Sequence, residues 1–112
     1  MSLTHVPGVL AALLTGTVAL ADTQARYDAV KSLGSLNGVA LQCKYLDQVA
    51  RIKQAIVESV PKERSYGLAF EQATNDSFLG FIREKGSCPG PAGFERTVAE
   101  SIQQMQQLFS SD

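Results

Sequence analysis

The clearest pattern in the chain is an apolar stripe near its carboxyl end. Between Ala92 and Phe109, apolar side chains recur every three or four residues, and Glu, Arg and Gln fill the intervening positions. The residues of this stripe are Phe94, Val98, Ile102, Met105 and Phe109. Because such spacing places them on one face of a helix, it predicts an amphipathic helix from about Ala92 to Phe109.

Two helices are predicted between residues 25 and 60. A short helix over Ala25–Leu33 ends at Gly34 and the pair Asn37-Gly38, since glycine and asparagine interrupt helical sequence. A longer helix spans Val39–Val60, and Pro61 stops it because proline cannot continue a helix. The apolar face of this longer helix is broad and requires more than one partner helix.

A third helix is predicted from Ser65, as its N-cap, to Lys85, with Gly86 just beyond its end. Its middle, Thr74–Ser77, is poor helix-forming sequence and predicts a kink or short break. Asn75-Asp76-Ser77 also matches the N-glycosylation sequon, which matters only in a eukaryotic secretory route. A polar kink is the alternative interpretation of these residues.

The periodicity is helical throughout, with almost no strand alternation, no internal repeat and no interdomain linker. We therefore predict an all-α fold, a small bundle of three to four helices forming one domain over residues 22–112. A domain of this size has a modest core, and a crosslink would help to stabilise it.

The amino-terminal segment has the features of a secretory signal peptide. The run Val9–Ala21 is apolar over 13 residues, too short to span a bilayer comfortably, and ends in an A-x-A pattern before Asp22. This predicts a signal over residues 1–21, cleavage after Ala21, and a periplasmic or secreted protein with no membrane span in the mature chain. Because Met1–Gly8 contains no Lys or Arg, a helix belonging to the folded domain is the alternative.

Two cysteines are placed to form one disulfide. Cys43 is expected in the first turns of the second predicted helix, and Cys88 in the Gly/Pro-rich loop before the last helix. An even cysteine count together with an export signal predicts a Cys43–Cys88 disulfide, with two free buried thiols as the alternative. A metal site is not expected, because two cysteines this far apart would need two more ligands. The absence of a C-x-x-C pair leaves little support for a redox role.

Composition excludes several functions. With 10 basic and 11 acidic residues and a net charge of −1, the chain lacks the basic excess of nucleic-acid and polybasic membrane-surface proteins. The only histidine is His5, so residues 22–112 contain no Ser-His or Cys-His catalytic pair. No Gly-rich phosphate-binding loop occurs. We therefore expect no catalytic residues, metal or cofactor, although an enzyme using Lys, Tyr or carboxylate groups is an alternative.

Two segments are candidates for a protein-interaction surface. Lys44 and Tyr45 lie on the exposed flank of the second predicted helix. Pro89, Gly90 and Pro91 form a stiff loop beside the predicted disulfide, which could act as a preorganised recognition loop. The alternative is a simple helix connection in which Pro91 lies just ahead of the last helix.

This layout resembles the periplasmic acid-stress chaperones of the HdeA kind. The local matches are Cys43-Lys44-Tyr45-Leu46 opening a helix, and Cys88 followed by Phe94 and Val98; the family's tryptophan is absent. The resemblance implies partial unfolding at low pH and shielding of denatured clients, which requires apolar surface to be released when carboxylates are protonated.

The expected function is therefore that of a small exported helical binding protein without catalytic activity. A chaperone-like or stress-protective role is one version of this expectation, and a protein partner is expected. An inhibitor or immunity-type partner of another exported protein is the alternative.

Overall fold

Residues 6–110 fold into four α-helices. The computed structural model describes the backbone of residues 6–110 and the side chains of residues 22–110. The helices are α1 (Val6–Gln42), α2 (Leu46–Ser59), α3 (Arg64–Arg83) and α4 (Pro91–Phe109). No strand occurs within residues 6–110. The predicted all-α fold class is therefore confirmed.

The predicted signal segment, residues 1–21, lies outside the residues whose side chains are described. Helix α1 begins at Val6 and continues past the predicted cleavage point after Ala21. Because a helical backbone fits both a signal segment and the first helix of a folded domain, export stays a prediction. Among the described helices, none combines the length and apolar character needed to cross a membrane.

Helix α1 does not end at Leu33, and the break predicted at Gly34 and Asn37-Gly38 is wrong. Both glycines lie one turn apart inside α1 and are buried against α3. A Cβ atom on Gly34 would lie 2.6 Å from the carbonyl oxygen of Phe70, and one on Gly38 would lie 2.6 Å from that of Thr74. The glycines therefore permit close backbone contact between α1 and α3 rather than a turn.

The short break predicted as one possibility over Thr74–Ser77 is wrong, because α3 is continuous from Arg64 to Arg83. Its polar side chains donate hydrogen bonds to α1 carbonyls, from Thr74 Oγ1 to Gly34 (3.0 Å) and from Ser77 Oγ to Ser35 (2.7 Å). Poor intrinsic helix formers are thus retained here because their hydroxyls reach the neighbouring helix.

Helix α2 begins at Leu46 instead of Val39, and residues Val39–Gln42 belong to α1. The chain turns at Lys44, whose φ of 60° is left-handed. The Tyr45 N–H donates to the Ala40 carbonyl (2.9 Å), and the Lys44 N–H donates to that of Leu41 (3.3 Å). These two bonds form a Schellman motif, which normally carries glycine at the position that Lys44 occupies.

Replacing Lys44 by glycine is expected to raise the free energy of unfolding by about 0.5 kcal/mol. Glycine removes a left-handed strain of about 1–2 kcal/mol, and its greater freedom in the unfolded chain offsets part of that gain. Urea unfolding followed by circular dichroism measures the change. As a control, glycine at exposed Lys53 inside α2 should lower stability by about 1 kcal/mol. If glycine at Lys44 and glycine at Lys53 lowered the free energy of unfolding equally, the left-handed conformation of Lys44 would be contradicted.

The ends of α3 differ from the prediction by one or two residues. Glu63, rather than Ser65, is the N-cap, and the Ser65 hydroxyl accepts a hydrogen bond from the Tyr27 phenol (2.6 Å). At the other end Lys85 takes the left-handed position with φ 52°, and Gly86 follows it. Helix α4 agrees closely with the predicted Ala92–Phe109, and Pro91 is its first residue.

Helix α1 forms the centre of the bundle. It packs against α2, α3 and α4, and α2 also packs against α4. No Cα atom of α3 lies within 8 Å of one in α2 or α4. The fully buried core side chains come from α1, α2 and α4: Val30, Leu33, Ile52, Val98 and Met105. Because the backbone of α3 comes close to α1 alone, an open channel runs along each of its sides. Side chains do meet across one of them, since the Tyr66 ring of α3 lies edge-on to the Phe109 ring of α4, 5.4 Å away between centroids.

Candidate binding site

The disulfide lies at one end of the bundle. Cys43 and Cys88 are bonded, with their Cα atoms 5.7 Å apart, so the predicted pairing is confirmed. Cys43 follows the last residue of α1, however, and does not lie in the first turns of a second helix as predicted. The bond therefore joins the α1–α2 connection to the loop between α3 and α4.

Tyr45 strengthens the same junction. Its phenol donates a hydrogen bond to the Pro89 carbonyl (2.6 Å), and its ring lies 5.5 Å from that of Phe94, between centroids. Two of the predicted interaction residues, Tyr45 and Pro89, are thus in direct contact across the junction. Their hydrogen bond and the disulfide hold the loop at two points.

The remaining predicted interaction residues lie close to this junction in the chain. Lys44 is exposed and occupies the turn after α1. Gly90 is the N-cap of α4, and Pro91 is its first residue, where the missing N–H of proline removes no helical hydrogen bond. Pro91 therefore begins the helix, while Pro89 and Gly90 border an open groove.

This groove, the α3–α4 groove, lies between α3 and α4 above the partly buried side chains Leu36 and Val39 of α1. Phe81 of α3 and Phe94 of α4 form aromatic walls, and its volume is about 710 Å³. The other lining residues are Asp76, Ser77, Gly80, Glu84, Gly86, Ser87, Pro89, Gly90, Gly93 and Thr97. Its size is typical of sites that bind ligands.

Glycines give the groove its room. Gly80 and Gly93 stand on facing helices, and neither has an atom closer than 3.5 Å to the position of an added Cβ. Gly86 is different, because its Cβ would lie 2.9 Å from the ring of Phe81. Glycine at this position lets the loop close tightly over the end of the groove.

The charge of the groove is acidic. Asp76 on α3 and Glu84, the residue that follows α3, are exposed and are the charged residues that line it, while the Arg96 guanidinium lies beside the lining residue Gly93. No group of three or more His, Cys, Asp or Glu residues within the described chain could hold a metal ion. The groove therefore combines apolar walls with an anionic edge.

Sequence reasoning missed the groove as a site. Phe81, Val39 and Leu36 were not among the predicted site residues. A partial signal was present in the four glycines that border the groove, namely Gly80, Gly86, Gly90 and Gly93. Their common location depends on how α3 and α4 pack on α1, which the spacing does not show.

The fold and this groove define a small, disulfide-linked, all-α protein with an open apolar channel. Comparison of the chain with protein-family models, curated proteins and solved structures finds no match. The resemblance to acid-stress chaperones of the HdeA kind stays a prediction. The argument for function therefore depends on the geometry of the chain itself.

Proposed function

We propose that this chain is a small exported binding protein, without catalytic activity, that holds an apolar segment of a partner protein. The α3–α4 groove carries the proposal. Its aromatic walls, Phe81 and Phe94, face a channel of about 710 Å³ that no helix covers. Aromatic and aliphatic side chains inserted into such channels supply most of the binding energy at protein interfaces.

An exported location belongs to the same proposal. Disulfides form and persist in oxidising compartments such as the bacterial periplasm and the extracellular space. The Cys43–Cys88 bond supports a periplasmic or secreted protein, in agreement with the signal predicted over residues 1–21. The bond also anchors the loop that closes the groove, which lowers the entropy lost when a partner binds.

The partner segment is expected to be basic beside its apolar anchor. Asp76 and Glu84 provide two negative charges beside the groove, and one basic group, the Arg96 guanidinium next to Gly93, offsets them only in part. Exposed charges of this kind contribute more to the association rate and to partner choice than to affinity. Binding should therefore weaken as the salt concentration rises.

Three fluorescent decapeptides test this chemistry by anisotropy. The first carries a central Leu-Phe pair flanked by lysines, the second replaces the lysines with glutamates, and the third replaces Leu-Phe with Gly-Gly. We expect binding of the first, binding of the second weakened several-fold at low salt, and no binding of the third. The acidic peptide binding as well as the basic one would contradict the expected charge preference.

A matched pair of variants locates the binding. Leucine at Gly93 projects into the groove and meets only the Arg96 Nη2 within 4 Å, so the fold should tolerate it. Leucine at Gly67, exposed in α3 and outside the groove, meets nothing within 4 Å and serves as the control. We expect Gly93→Leu to weaken binding of the lysine peptide about tenfold and Gly67→Leu to leave it unchanged. Unchanged binding by Gly93→Leu would exclude the groove.

A chaperone-like role is the second candidate, and exposed apolar residues on α3 favour it. Leu68, Leu79 and Ile82 are 51%, 51% and 55% exposed, and their spacing places them on one helix face. Burial raises the pKa of the Tyr66 phenol, so this group titrates only at alkaline pH and takes no part in an acid response.

Client aggregation at pH 3, measured by light scattering, tests this second candidate. The chaperone-like role is supported if the wild-type protein suppresses client aggregation and the Leu79→Ser variant suppresses it less. No suppression, or no gain in dye-binding surface on acidification, would exclude it.

A further inference from the structure

The second channel beside α3 contains a buried polar atom that has no partner. This α2–α3 cleft has a volume of about 460 Å³ and lies between α2 and α3 over α1. Its lining residues are Asn37, Leu41, Lys53, Ile56, Val57, Phe70, Glu71, Thr74 and Asn75. Asn37 is 1% exposed, and its Oδ1 atom makes no hydrogen bond. A buried acceptor without a donor is unfavourable and is rare in folded proteins.

The other end of the same amide is occupied. Asn37 Nδ2 donates to the Thr74 hydroxyl at 3.3 Å, and that hydroxyl donates in turn to the Gly34 carbonyl at 3.0 Å. The Asn37 amide is therefore held with Oδ1 as the atom left over. Oδ1 is itself buried, so a donor in the cleft reaches it only when the Asn37 amide rotates. The bond to Thr74 is long and therefore weak, so it opposes that rotation little.

The residues around Asn37 indicate the shape and charge of a ligand that would fit the cleft. Leu41, Ile56 and Phe70 give the cleft apolar walls suited to a flat ring, and Phe70, a core residue that is 9% exposed, is the aromatic one among them. Lys53 and Glu71, both exposed at its rim, carry one charge of each sign. An apolar interior with no net charge around it favours an uncharged molecule.

We propose that the α2–α3 cleft binds an uncharged aromatic ring bearing one N–H or O–H donor, such as an indole or a phenol, which donates to Asn37 Oδ1. The ring lies against Phe70, Leu41 and Ile56. This site is separate from the α3–α4 groove, and its failure would leave the proposed peptide-binding function unaffected.

Indole and benzofuran form the decisive ligand pair, because the two rings have the same shape and only indole carries an N–H donor. Ligand-observed NMR and competition measure both dissociation constants on the disulfide-bonded protein. We expect indole to bind about tenfold more tightly than benzofuran. Equal affinities, or no binding of either compound, would overturn the proposal.

Two variants assign the effect to Asn37 and to the cleft. Asn37→Leu removes the acceptor at similar volume, so the preference for indole should disappear while benzofuran binding persists. Val57→Phe, at a position 66% exposed on the cleft wall, should weaken both compounds several-fold without disturbing the fold. Leu79→Phe, on the outer face of α3, is its control and should change neither. The proposal is overturned if a folded Asn37→Leu protein still prefers indole to benzofuran. It is also overturned if Val57→Phe binds both compounds as tightly as the wild type.

The donor ring can belong to a free molecule or to a tryptophan side chain of another protein. The chain contains no Trp, so tryptophan fluorescence reports directly on a capped Gly-Gly-Trp-Gly-Gly peptide. Binding of this peptide that is lost in Val57→Phe indicates a protein side chain as the source. Binding of free indole without binding of the peptide indicates a small molecule.

Discussion

Removal of the Cys43–Cys88 disulfide is expected to lower the free energy of unfolding by about 4 kcal/mol. The bond closes a loop of 45 residues, and in the loop-entropy model a crosslink of that length restricts the unfolded chain by this amount. Such a loss is comparable to the whole stability of many small domains. Urea unfolding of the oxidised and reduced wild-type protein measures the difference.

The double variant Cys43→Ser/Cys88→Ser provides the control. It should match the reduced wild type in stability and show no response to reductant. If oxidised wild type and the double variant unfold at the same urea concentration, the disulfide contributes no stability. Tyr45 and Pro89, which hold the same junction by a hydrogen bond, are unchanged in the double variant, so the substitutions remove only the covalent link.

Replacing Gly38 by alanine is expected to lower the free energy of unfolding by about 2 kcal/mol. The added Cβ would lie 2.6 Å from the Thr74 carbonyl oxygen and 2.8 Å from the Phe78 nitrogen. Both are backbone atoms, so no side chain can rotate away and α3 itself must shift. Overpacking typically costs about 1–3 kcal/mol, and contacts this short to backbone atoms should reach the upper end, about 3 kcal/mol. The better helix propensity of alanine returns roughly 1 kcal/mol, which leaves the net loss of about 2 kcal/mol.

Gly67→Ala is the matched control for Gly38→Ala. Gly67 is exposed in the first turns of α3, and no atom lies within 4 Å of its added Cβ. Alanine there should raise the free energy of unfolding by about 0.5–1 kcal/mol, since only propensity and chain entropy change. Thermal unfolding of the two variants should therefore move in opposite directions. A stabilising effect of Gly38→Ala would show that α1 and α3 are farther apart than described.

Local periodicity predicted α4 well. Its apolar stripe is buried as expected, with Phe94, Val98, Ile102 and Met105 in the core and Phe109 partly buried. Every apolar residue of the stripe faces the same side, and no unusual backbone conformation is needed between Pro91 and Phe109. A helix of this kind can be predicted because its spacing alone defines the face that packs.

The boundaries between α1 and α2 could not be predicted in the same way. Glycine in a sequence is compatible both with a turn and with close helix packing, and only the presence of α3 beside Gly34 and Gly38 decides between them. The actual turn lies at Lys44, a residue type that gives no local signal for a left-handed conformation. Tertiary contacts thus outweighed local preference at both places.

The candidate sites also contain features that the sequence predicted and features that depend on helix packing. The cysteine pairing followed from residue type and predicted export, and Tyr45 and Pro89 were named separately as candidate interaction residues. The groove walls were not predicted, because the separation of α3 from α4 depends on how each helix packs on α1. The unpaired Asn37 acceptor was likewise invisible, since its burial arises from the approach of α3.

The sequence by itself determined the all-α class, the apolar face of α4 and the disulfide that crosslinks the bundle. These features depend on residue spacing and on cysteine chemistry, which act within a single helix or between two defined side chains. Only the tertiary structure decided that α1 continues through two glycines, that the backbone of α3 comes close to α1 alone, and that two channels remain open beside it. Those outcomes depend on how closely helix backbones approach one another, which is a property of the packed chain.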